Sequence, residues 1–295
     1  MTTETIRPQD LERDWEPLTE AQLKEYGERG YLHVKGLFSE AEVQRGLQIV
    51  EETLAANTQT MQHHESFYLN DQTVRVRNAV SVHPGLDEFL DHPALIGPLM
   101  SLLEGNVQVL STEVLVRYLQ DEALEPWHTD GGPYLQRMRL TADSSSLQVK
   151  AQVFLSDTTT ENCGNFLLVP GSHLQVPTTQ DYMCNIEELN EPLRRGEIPE
   201  HALVVKAEPG DVLLFPHSLW HGVMANTTRP RKTFIFRYGQ LWHRPYDYAT
   251  QPREILDRMS PRLRRMFGDF GDNPHPSDFY KPLGQAEAMA LGARR

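Results

Sequence analysis

The sequence has few cysteines and no long hydrophobic run, and each shortage excludes a class of protein. It contains two cysteines in 295 residues, Cys163 and Cys184. Two thiols cannot build a disulfide scaffold, which favours a reducing compartment and hence a cytoplasmic location. No apolar stretch reaches the roughly 18 residues of a spanning helix. Residues 1–17 contain acids and a proline instead of the apolar centre of a signal peptide, so we expect neither secretion by that route nor a membrane partner.

Basic side chains are also in short supply. There are 28 lysines and arginines against 41 aspartates and glutamates, for a formal charge of −13 at pH 7. A field of this sign repels phosphate backbones, so nucleic acid is not expected as a partner. The acidic total weakly favours a cationic or polar metabolite over an acyl-CoA as the ligand. It predicts nothing about the oligomeric state.

Helical patterns lead and close the chain, and strand patterns fill its middle. From about residue 106, short β-branched and aromatic runs are separated by turns rich in Gly, Pro, Asn and Asp. The order of elements predicts an α+β, mainly β, fold: a β-sandwich with flanking helices. We expect one domain, 1–295, made of an N-terminal arm at 1–17, a region of helices and strands at 18–105, a strand-rich core at 106–245 and a helical tail at 246–295.

A spacing of two residues in WHTDGG is the first sign of chemistry. His128 and Asp130 occupy positions i and i+2, which point to the same face when the backbone is a strand. An imidazole and a carboxylate can then bind one ion. Farther along the chain, His221 lies in a loop between two predicted strands and is followed by glycine. Two histidines and one carboxylate are the facial triad of non-haem Fe(II) oxygenases, which leaves positions open for a chelating 2-oxo acid and O₂.

An arginine ten residues after His221 adds to this interpretation. Arg231 begins the next predicted strand, and a guanidinium pairs bidentately with the far carboxylate of a 2-oxo acid. His217 competes with His221 as a ligand but lacks the following glycine. Arg229 and Arg237 compete with Arg231 for the oxo acid. Arg231 and Arg237 share one strand face about 20 Å apart, so they cannot both contact one small anion.

Five segments occur in the order seen in a known family: WHTDGG, GNFLLVPGSH, EPGDVLLFP, WHGVMANTT and PRKTFIFRYG. With the leading helix and YLHVKGLFSEAEV, they make the chain resemble the phytanoyl-CoA dioxygenase family of Fe(II)/2-oxoglutarate-dependent oxygenases over roughly 20–245. The resemblance implies a double-stranded β-helix, a jelly-roll or cupin-like core. It implies that His128, Asp130 and His221 bind Fe(II) and that Arg231 binds the distal carboxylate of 2-oxoglutarate.

The resemblance also implies a reaction. Fe(II), 2-oxoglutarate and O₂ would hydroxylate a C–H bond of a small-molecule metabolite with release of succinate and CO₂, and ascorbate would act as a stimulant. Related halogenases carry Gly or Ala at the position of Asp130, so a carboxylate there favours hydroxylation or a related desaturation or cyclisation. Two other classes stay open. Arg231 argues against a non-oxidative metal-dependent cupin-like enzyme, and the complete triad argues against a catalytically silent binding module.

One family position departs from the pattern. Members often carry a serine two residues after the distal histidine, where it bonds the 2-oxoglutarate carboxylate, but this chain has Val223 there. Thr233 shares the strand face of Arg231 and is the expected replacement. Gln152 lies where members often place a polar or aromatic contact to 2-oxoglutarate.

Candidates for contact with the substrate are less specific. Arg75 and Arg77 share a face of an early strand, and Tyr134 follows the GGP that comes just after Asp130. Arg237 is a fourth candidate, with a salt bridge at the edge of the core as its structural alternative. No motif in these segments identifies the substrate.

Overall fold

Capping residues in the sequence position the first helix. The Thr19 side chain accepts from the backbone N–H of Gln22, the Gln22 side chain accepts from that of Thr19, and Gly30 ends the helix at φ +78°. The computed structural model describes residues 12–57, 67–70, 73–123, 125–130, 135, 138, 141–175, 187–271, 273–280, 284–290 and 292. Within them the helices are α1 (Glu20–Arg29), α2 (Glu40–Asn57), α3 (Leu86–Leu90), α4 (Pro93–Leu102), α5 (Glu187–Arg194), α6 (Arg253–Arg258), α7 (Pro261–Met266) and α8 (Gln285–Ala290). None of these combines the length and apolar character needed to cross a bilayer.

Strands in the described residues form two antiparallel sheets. They are β1 (Leu32–Val34), β2 (Phe67–Asn70), β3 (Thr73–Arg77), β4 (Gln108–Arg117), β5 (Glu125–His128), β6 (Gln148–Phe154), β7 (Phe166–Leu168), β8 (Leu203–Val205), β9 (Val212–Pro216), β10 (His221–Val223) and β11 (Arg231–Gly239). The larger sheet has the order β1-β9-β6-β11-β4-β3-β2, and the smaller sheet has the order β5-β10-β7-β8. From β4 to β11 the chain alternates between the two sheets, except that β7 and β8 pair with each other in the smaller sheet, and such alternation is expected for a jelly roll.

Side-chain alternation along β11 explains why the larger sheet is buried on both faces. Phe234 and Phe236 point to one side and join the main apolar core with residues of the flanking helices. Arg231, Ile235 and Arg237 point to the other side and line a cavity that residues of the smaller sheet also line. The strand pattern therefore separates an apolar face, which binds the helices, from a polar face, which looks into the space between the sheets.

Three strands of the larger sheet come from the region 18–105. The run 31–38 has the aromatic and β-branched residues typical of one strand, but it yields only β1 because the chain turns at Gly36 with φ +59°. The run 73–82 stops with β3 because Asn78 adopts the left-handed conformation, with φ +46°. Both strands pair within the larger sheet. This sheet therefore also contains strands from before residue 106, where the strand-rich core was predicted to start.

The two ends of the chain are joined by a buried arginine. Arg262 is fully buried on α7, with Nη1 2.6 Å from Oδ1 of Asp14 and Nε 2.5 Å from Oδ1 of Asp91. Beside it, Nε1 of Trp15 donates to the carbonyl oxygen of Met289 at 2.8 Å. The described end of the predicted N-terminal arm is therefore packed against the C-terminal helices.

Arg262→Ala should lower the free energy of unfolding by about 3 kcal/mol, because removing one partner leaves Asp91 buried without its counter-charge. Urea denaturation at pH 7 measures the change. Arg253→Ala is the matched control, since Arg253 is half exposed and its ion pairs are screened by water. Equal losses of unfolding free energy in the two variants would contradict a stabilising role of the buried Arg262 ion pairs.

Candidate metal centre and adjoining cavity

Two histidines and one aspartate meet where β5 and β10 pair. His128 ends β5 and His221 begins β10, and the two are direct partners in the antiparallel register. Asp130 follows two residues after His128. One ligand atom from each of the three side chains lies within 4.8 Å of the others, and no other such group of His, Cys, Asp or Glu occurs in the described part of the chain. The three are close enough to bind a single ion.

Hydrogen bonds set the tautomers of both imidazoles. Nδ1 of His128 lies 2.7 Å from the carbonyl oxygen of Pro126, and Nδ1 of His221 lies 2.8 Å from that of Leu219. A carbonyl oxygen only accepts, so each Nδ1 carries the hydrogen and each Nε2 presents a lone pair. Burial, and after it the charge of His128, lowers the pKa of His221 to about 3. The His221 ring is therefore neutral at pH 7, which is the form that binds metals.

Asp130 is held by a backbone hydrogen bond and by two cations. Its N–H donates to the carbonyl oxygen of His217 at 2.9 Å. Nζ of Lys150 lies 2.5 Å from Oδ2, and Nη2 of Arg237 lies 3.5 Å from Oδ1. Burial alone would raise the pKa of Asp130, but the charge of Lys150, with further charges that include Arg237, holds it well below its ordinary value. The carboxylate is ionised, as a metal ligand must be.

Arg231 is a buried cation without a carboxylate partner among the described residues. Its Nη1 donates to the carbonyl oxygen of Gly164 at 2.7 Å, while Nε has no hydrogen-bond partner. Burial, followed by the charge of Arg117, lowers the pKa of Arg231 to about 9, so the group is still charged at pH 7. A buried guanidinium with an unsatisfied edge is unfavourable unless an anion binds it.

Two neutral polar side chains near Arg231 also lack hydrogen bonds. Nε2 of Gln152 and Oγ1 of Thr233 are both buried and have no partner in the described residues. Buried polar groups without partners are rare in folded proteins, and each requires an explanation such as a ligand. Together with Arg231, they suit a ligand that carries a carboxylate.

The triad opens into a cavity of about 480 Å³ between the two sheets. This volume lies in the range of small-molecule sites. Phe166 and Phe215 form part of its wall, and each ring centroid is 5.2 Å from that of His221. The described residues that line it include six basic side chains and four acidic ones: Arg75, Arg77, Arg117, Lys150, Arg231 and Arg237, and Glu113, Glu125, Asp130 and Asp247.

The sequence matches one protein family over most of its length. Residues 26–233 match the family described as phytanoyl-CoA dioxygenase (PhyH). The chain belongs to the phytanoyl-CoA dioxygenase family. The resemblance seen in its motifs is therefore confirmed, and the matched range contains the triad, Arg231, Gln152 and Thr233.

Curated relatives of this phytanoyl-CoA dioxygenase family member are described as dioxygenases. The dioxygenase olcK of Penicillium canescens is 25% identical over 186 residues, which cover 62% of this chain and 56% of the relative. The dioxygenase andF of Emericella variicolor is 28% identical over 153 residues, which cover 50% of this chain and 47% of the relative. The chain thus spans about half the length of the curated relatives it matches.

Solved structures of similar fold include Fe- and 2-oxoglutarate-dependent enzymes. The α-ketoglutarate-dependent carbocyclase SnoK of nogalamycin biosynthesis is 24% identical with a TM-score of 0.59, over 76% of this chain and 85% of SnoK. HygX from Streptomyces hygroscopicus, solved with nickel, 2-oxoglutarate and hygromycin B, is 22% identical with a TM-score of 0.60, over 78% of this chain and 90% of HygX. At these identities the likeness shows the fold, and the predicted double-stranded β-helix is confirmed. The cofactors predicted for this family member, iron and 2-oxoglutarate, are also those of its solved relatives. The epimerase SnoN, for example, was solved with Fe³⁺ and α-ketoglutarate.

The other predicted site residues fall in different places. Arg75 lines the cavity, with Nε 3.4 Å from Oε2 of Glu113. Arg77 lies at the mouth of the cavity and is exposed. Arg229 is away from the cavity and pairs with the surface residue Asp157 at 3.1 Å. Tyr134 lies outside the described residues.

Five charged residues of the cavity were missed by the motif search: Lys150, Arg117, Glu113, Glu125 and Asp247. Lys150 alternates with Gln152 along β6, so the pattern VKAQVF already places both on one face. Arg117 is opposite Arg231 in the register of β4 and β11, and it forms an ion pair with Glu125. No local motif could have found Arg117, because its proximity depends on strand pairing.

Asp247 gives this cavity a pH-dependent contribution to stability. Burial, and after it the charge of Glu113, raises the pKa of Asp247 to about 6, although its Oδ2 accepts from the backbone N–H groups of Asn78 and Thr112. Because the folded pKa exceeds the unfolded value of 3.8, the stabilisation is fully present below that value and is lost as pH rises through about 6.

Asp247→Asn should therefore be more stable than the wild type by about 2–3 kcal/mol at pH 8, and the difference should vanish near pH 4. The amide oxygen can still accept both backbone hydrogen bonds, so only the buried charge is removed. Urea denaturation of both proteins across this pH range measures the effect. A difference that does not change with pH would contradict the elevated pKa of Asp247.

Proposed function

We propose that this protein is an Fe(II)- and 2-oxoglutarate-dependent oxygenase that hydroxylates a C–H bond of a small-molecule metabolite and releases succinate and CO₂. The observation that carries the proposal is the pairing of two features in one cavity. The triad presents two Nε2 atoms and an ionised carboxylate to one point, and Arg231 is buried in the same cavity without a carboxylate partner. The first suits a divalent metal, and the second suits a dicarboxylate.

The donor set fits Fe(II). His128, Asp130 and His221 would hold the ion. Backbone carbonyl oxygens already orient the two imidazoles through Nδ1, and the ammonium group of Lys150 orients the carboxylate of Asp130. The bound metal and 2-oxoglutarate together supply the chemistry that activates O₂. Phe166 and Phe215 pack against His221 and limit the access of water from that side.

The cavity also fits 2-oxoglutarate. Arg231 would bind the distal carboxylate through its unsatisfied edge. Thr233 and Gln152 would donate to the same ligand with hydrogens that lack partners in the described residues. In this assignment Thr233 takes over from the serine that Val223 replaces.

The experiment that tests this function measures the products of 2-oxoglutarate. Purified protein with Fe(II), 2-oxoglutarate and O₂ should form succinate and CO₂ in equal amounts, and omission of any of the three should abolish formation. Succinate formed no faster than by Fe(II) without protein would reject the proposal. Metal binding without any 2-oxoglutarate turnover would instead favour the cupin-like enzyme or the binding module.

A related outcome at the same site is desaturation or cyclisation. The fold neighbours named as a carbocyclase and an epimerase favour keeping it as a second candidate. With a converted substrate and ¹⁸O₂, hydroxylation incorporates ¹⁸O into the product, whereas desaturation and cyclisation do not. The same mass spectrum thus distinguishes the two.

A further inference from the structure

The cavity has cations at both ends of β11. Arg231 and Arg237 point into it from the same strand face and are six residues apart, which is about 20 Å along an extended chain. Arg237 is the direct register partner of Lys150 on β6. The Arg231 end is already assigned to 2-oxoglutarate. The Arg237 end is a second cationic region that this assignment does not use.

The acids of the cavity other than Asp130 form no ion pair with Lys150 or Arg237 in the described residues, although Glu113 lies opposite Arg77 in the register of β3 and β4. Glu113 lies beside Arg75, and Glu125 lies beside Arg117. Asp247 accepts from two backbone N–H groups. Among the described residues, only the carboxylate of Asp130 is within ion-pair distance of Lys150 and Arg237.

Arg237 is held in place at the mouth of the cavity. Its guanidinium carbon lies 4.4 Å from the centroid of the Tyr246 ring, a cation–π geometry, and its Nε has no hydrogen-bond partner among the described residues. The Tyr246 hydroxyl accepts from Nε2 of Gln148 at 2.6 Å, which fixes the ring. Arg77 adds a further cation at the mouth, with no ion-pair partner in the described part of the chain.

We propose that the substrate is an organic oxyanion whose carboxylate or phosphate group binds between Arg237, Lys150 and Arg77, beside the ring of Tyr246. The inference rests on the proposed function and specifies the substrate class of that site. One carboxylate, Asp130, is shared by two cations and by the candidate metal, so positive charge exceeds the counter-charge at ion-pair distance there. The excess is local, because the chain as a whole carries −13.

The experiment uses the protein loaded with Ni(II) and 2-oxoglutarate. Ni(II) replaces Fe(II) so that the loaded protein binds probes without turnover. Isothermal titration compares 3-phenylpropionate and phenyl phosphate with the neutral 3-phenylpropanamide and the cationic 3-phenylpropylamine. The anions should bind at least about tenfold more tightly than the amide and the amine. The ratio between the two anions identifies which oxyanion the region prefers.

Two variants locate the binding region. Arg237→Gln and Arg77→Gln should each weaken binding of the better anion by about tenfold. Ni(II) affinity should be retained in Arg77→Gln, whereas Arg237 also supports the ligand Asp130, so Arg237→Gln is titrated at saturating Ni(II). Arg77 is exposed, so its variant tests the proposal without a risk to folding. Arg195→Gln is the matched control. It removes an exposed arginine that does not line the cavity, so the affinity for the anion should be unchanged.

Three results would overturn the proposal: no probe binds, the amide or amine binds as tightly as the anions, or both cavity variants bind the anions like the wild type. The last result would leave Lys150 and Arg237 as positioning residues for Asp130 alone. Failure of the proposed function is distinguishable, because it appears as loss of Ni(II) or 2-oxoglutarate binding before any probe is added. The probe titration is then repeated on the unloaded protein, where the same preference for anions is required.

Discussion

His221→Ala should abolish metal binding at the triad and lower succinate formation by at least about 100-fold, since the loss of a mere supporting contact to a ligand already costs 10–100-fold. His221 supplies one of two Nε2 donors, and no other described histidine completes the group. Metal affinity is measured with Ni(II) by isothermal titration, and succinate is measured separately.

The control variants separate the metal site from the fold. His201→Ala removes an exposed histidine and should leave both quantities unchanged. His217→Ala tests the ligand that competed with His221 in the sequence. If His217→Ala lost the metal while His221→Ala retained it, the ligand set would have to be reassigned. Circular dichroism and urea denaturation show whether each variant is folded.

The triad was predictable because its geometry is largely local. His128 ends β5 and Asp130 follows two residues later, just beyond the strand, while His221 begins a strand after a recognisable turn. Their convergence needed only the pairing of β5 with β10, which the family resemblance implies. Arg231 could be predicted for the same reason, because it begins the next strand after His221.

The polar wall of the cavity was less predictable. Lys150 lies in a strand whose sequence alternates, but a lysine is usually exposed, so burial beside Asp130 is not the default expectation. Arg117 and Glu125 meet only because β4 and β5 belong to opposite sheets that converge there. Long-range pairing of this kind leaves no signal in a short window of sequence.

The net charge of the chain differs in sign from the local charge of the cavity lining. The acidic total favoured a cationic or polar metabolite, whereas the described lining of the cavity contains six basic side chains and four acidic ones. The acids that set the total lie largely on exposed helices and loops, where water screens them. Buried charges act on the ligand at short range and in a lower dielectric, so the local balance decides.

Arg231→Met should weaken 2-oxoglutarate binding by about 100-fold or more, with metal binding retained. The guanidinium is the buried cation best placed for the distal carboxylate, and the methionine side chain fills similar space without charge. Isothermal titration of 2-oxoglutarate into the Ni(II)-loaded protein measures the change. Arg195→Met is the matched control, because Arg195 is half exposed and pairs with surface glutamates. Unchanged affinity in Arg231→Met would move the anchor to Arg117 or Arg237.

The same substitution should have the opposite effect on the unliganded fold. Arg231 is buried with an unsatisfied Nε and without a carboxylate partner in the described residues, so its removal should stabilise the protein without ligands by about 1–3 kcal/mol. In the wild type, 2-oxoglutarate at 100 times its Kd should add about 2.7 kcal/mol, and the variant should gain almost none of this. A residue kept for folding would show a loss of stability on substitution. Only a residue kept for an anionic ligand combines higher stability alone with no response to the ligand.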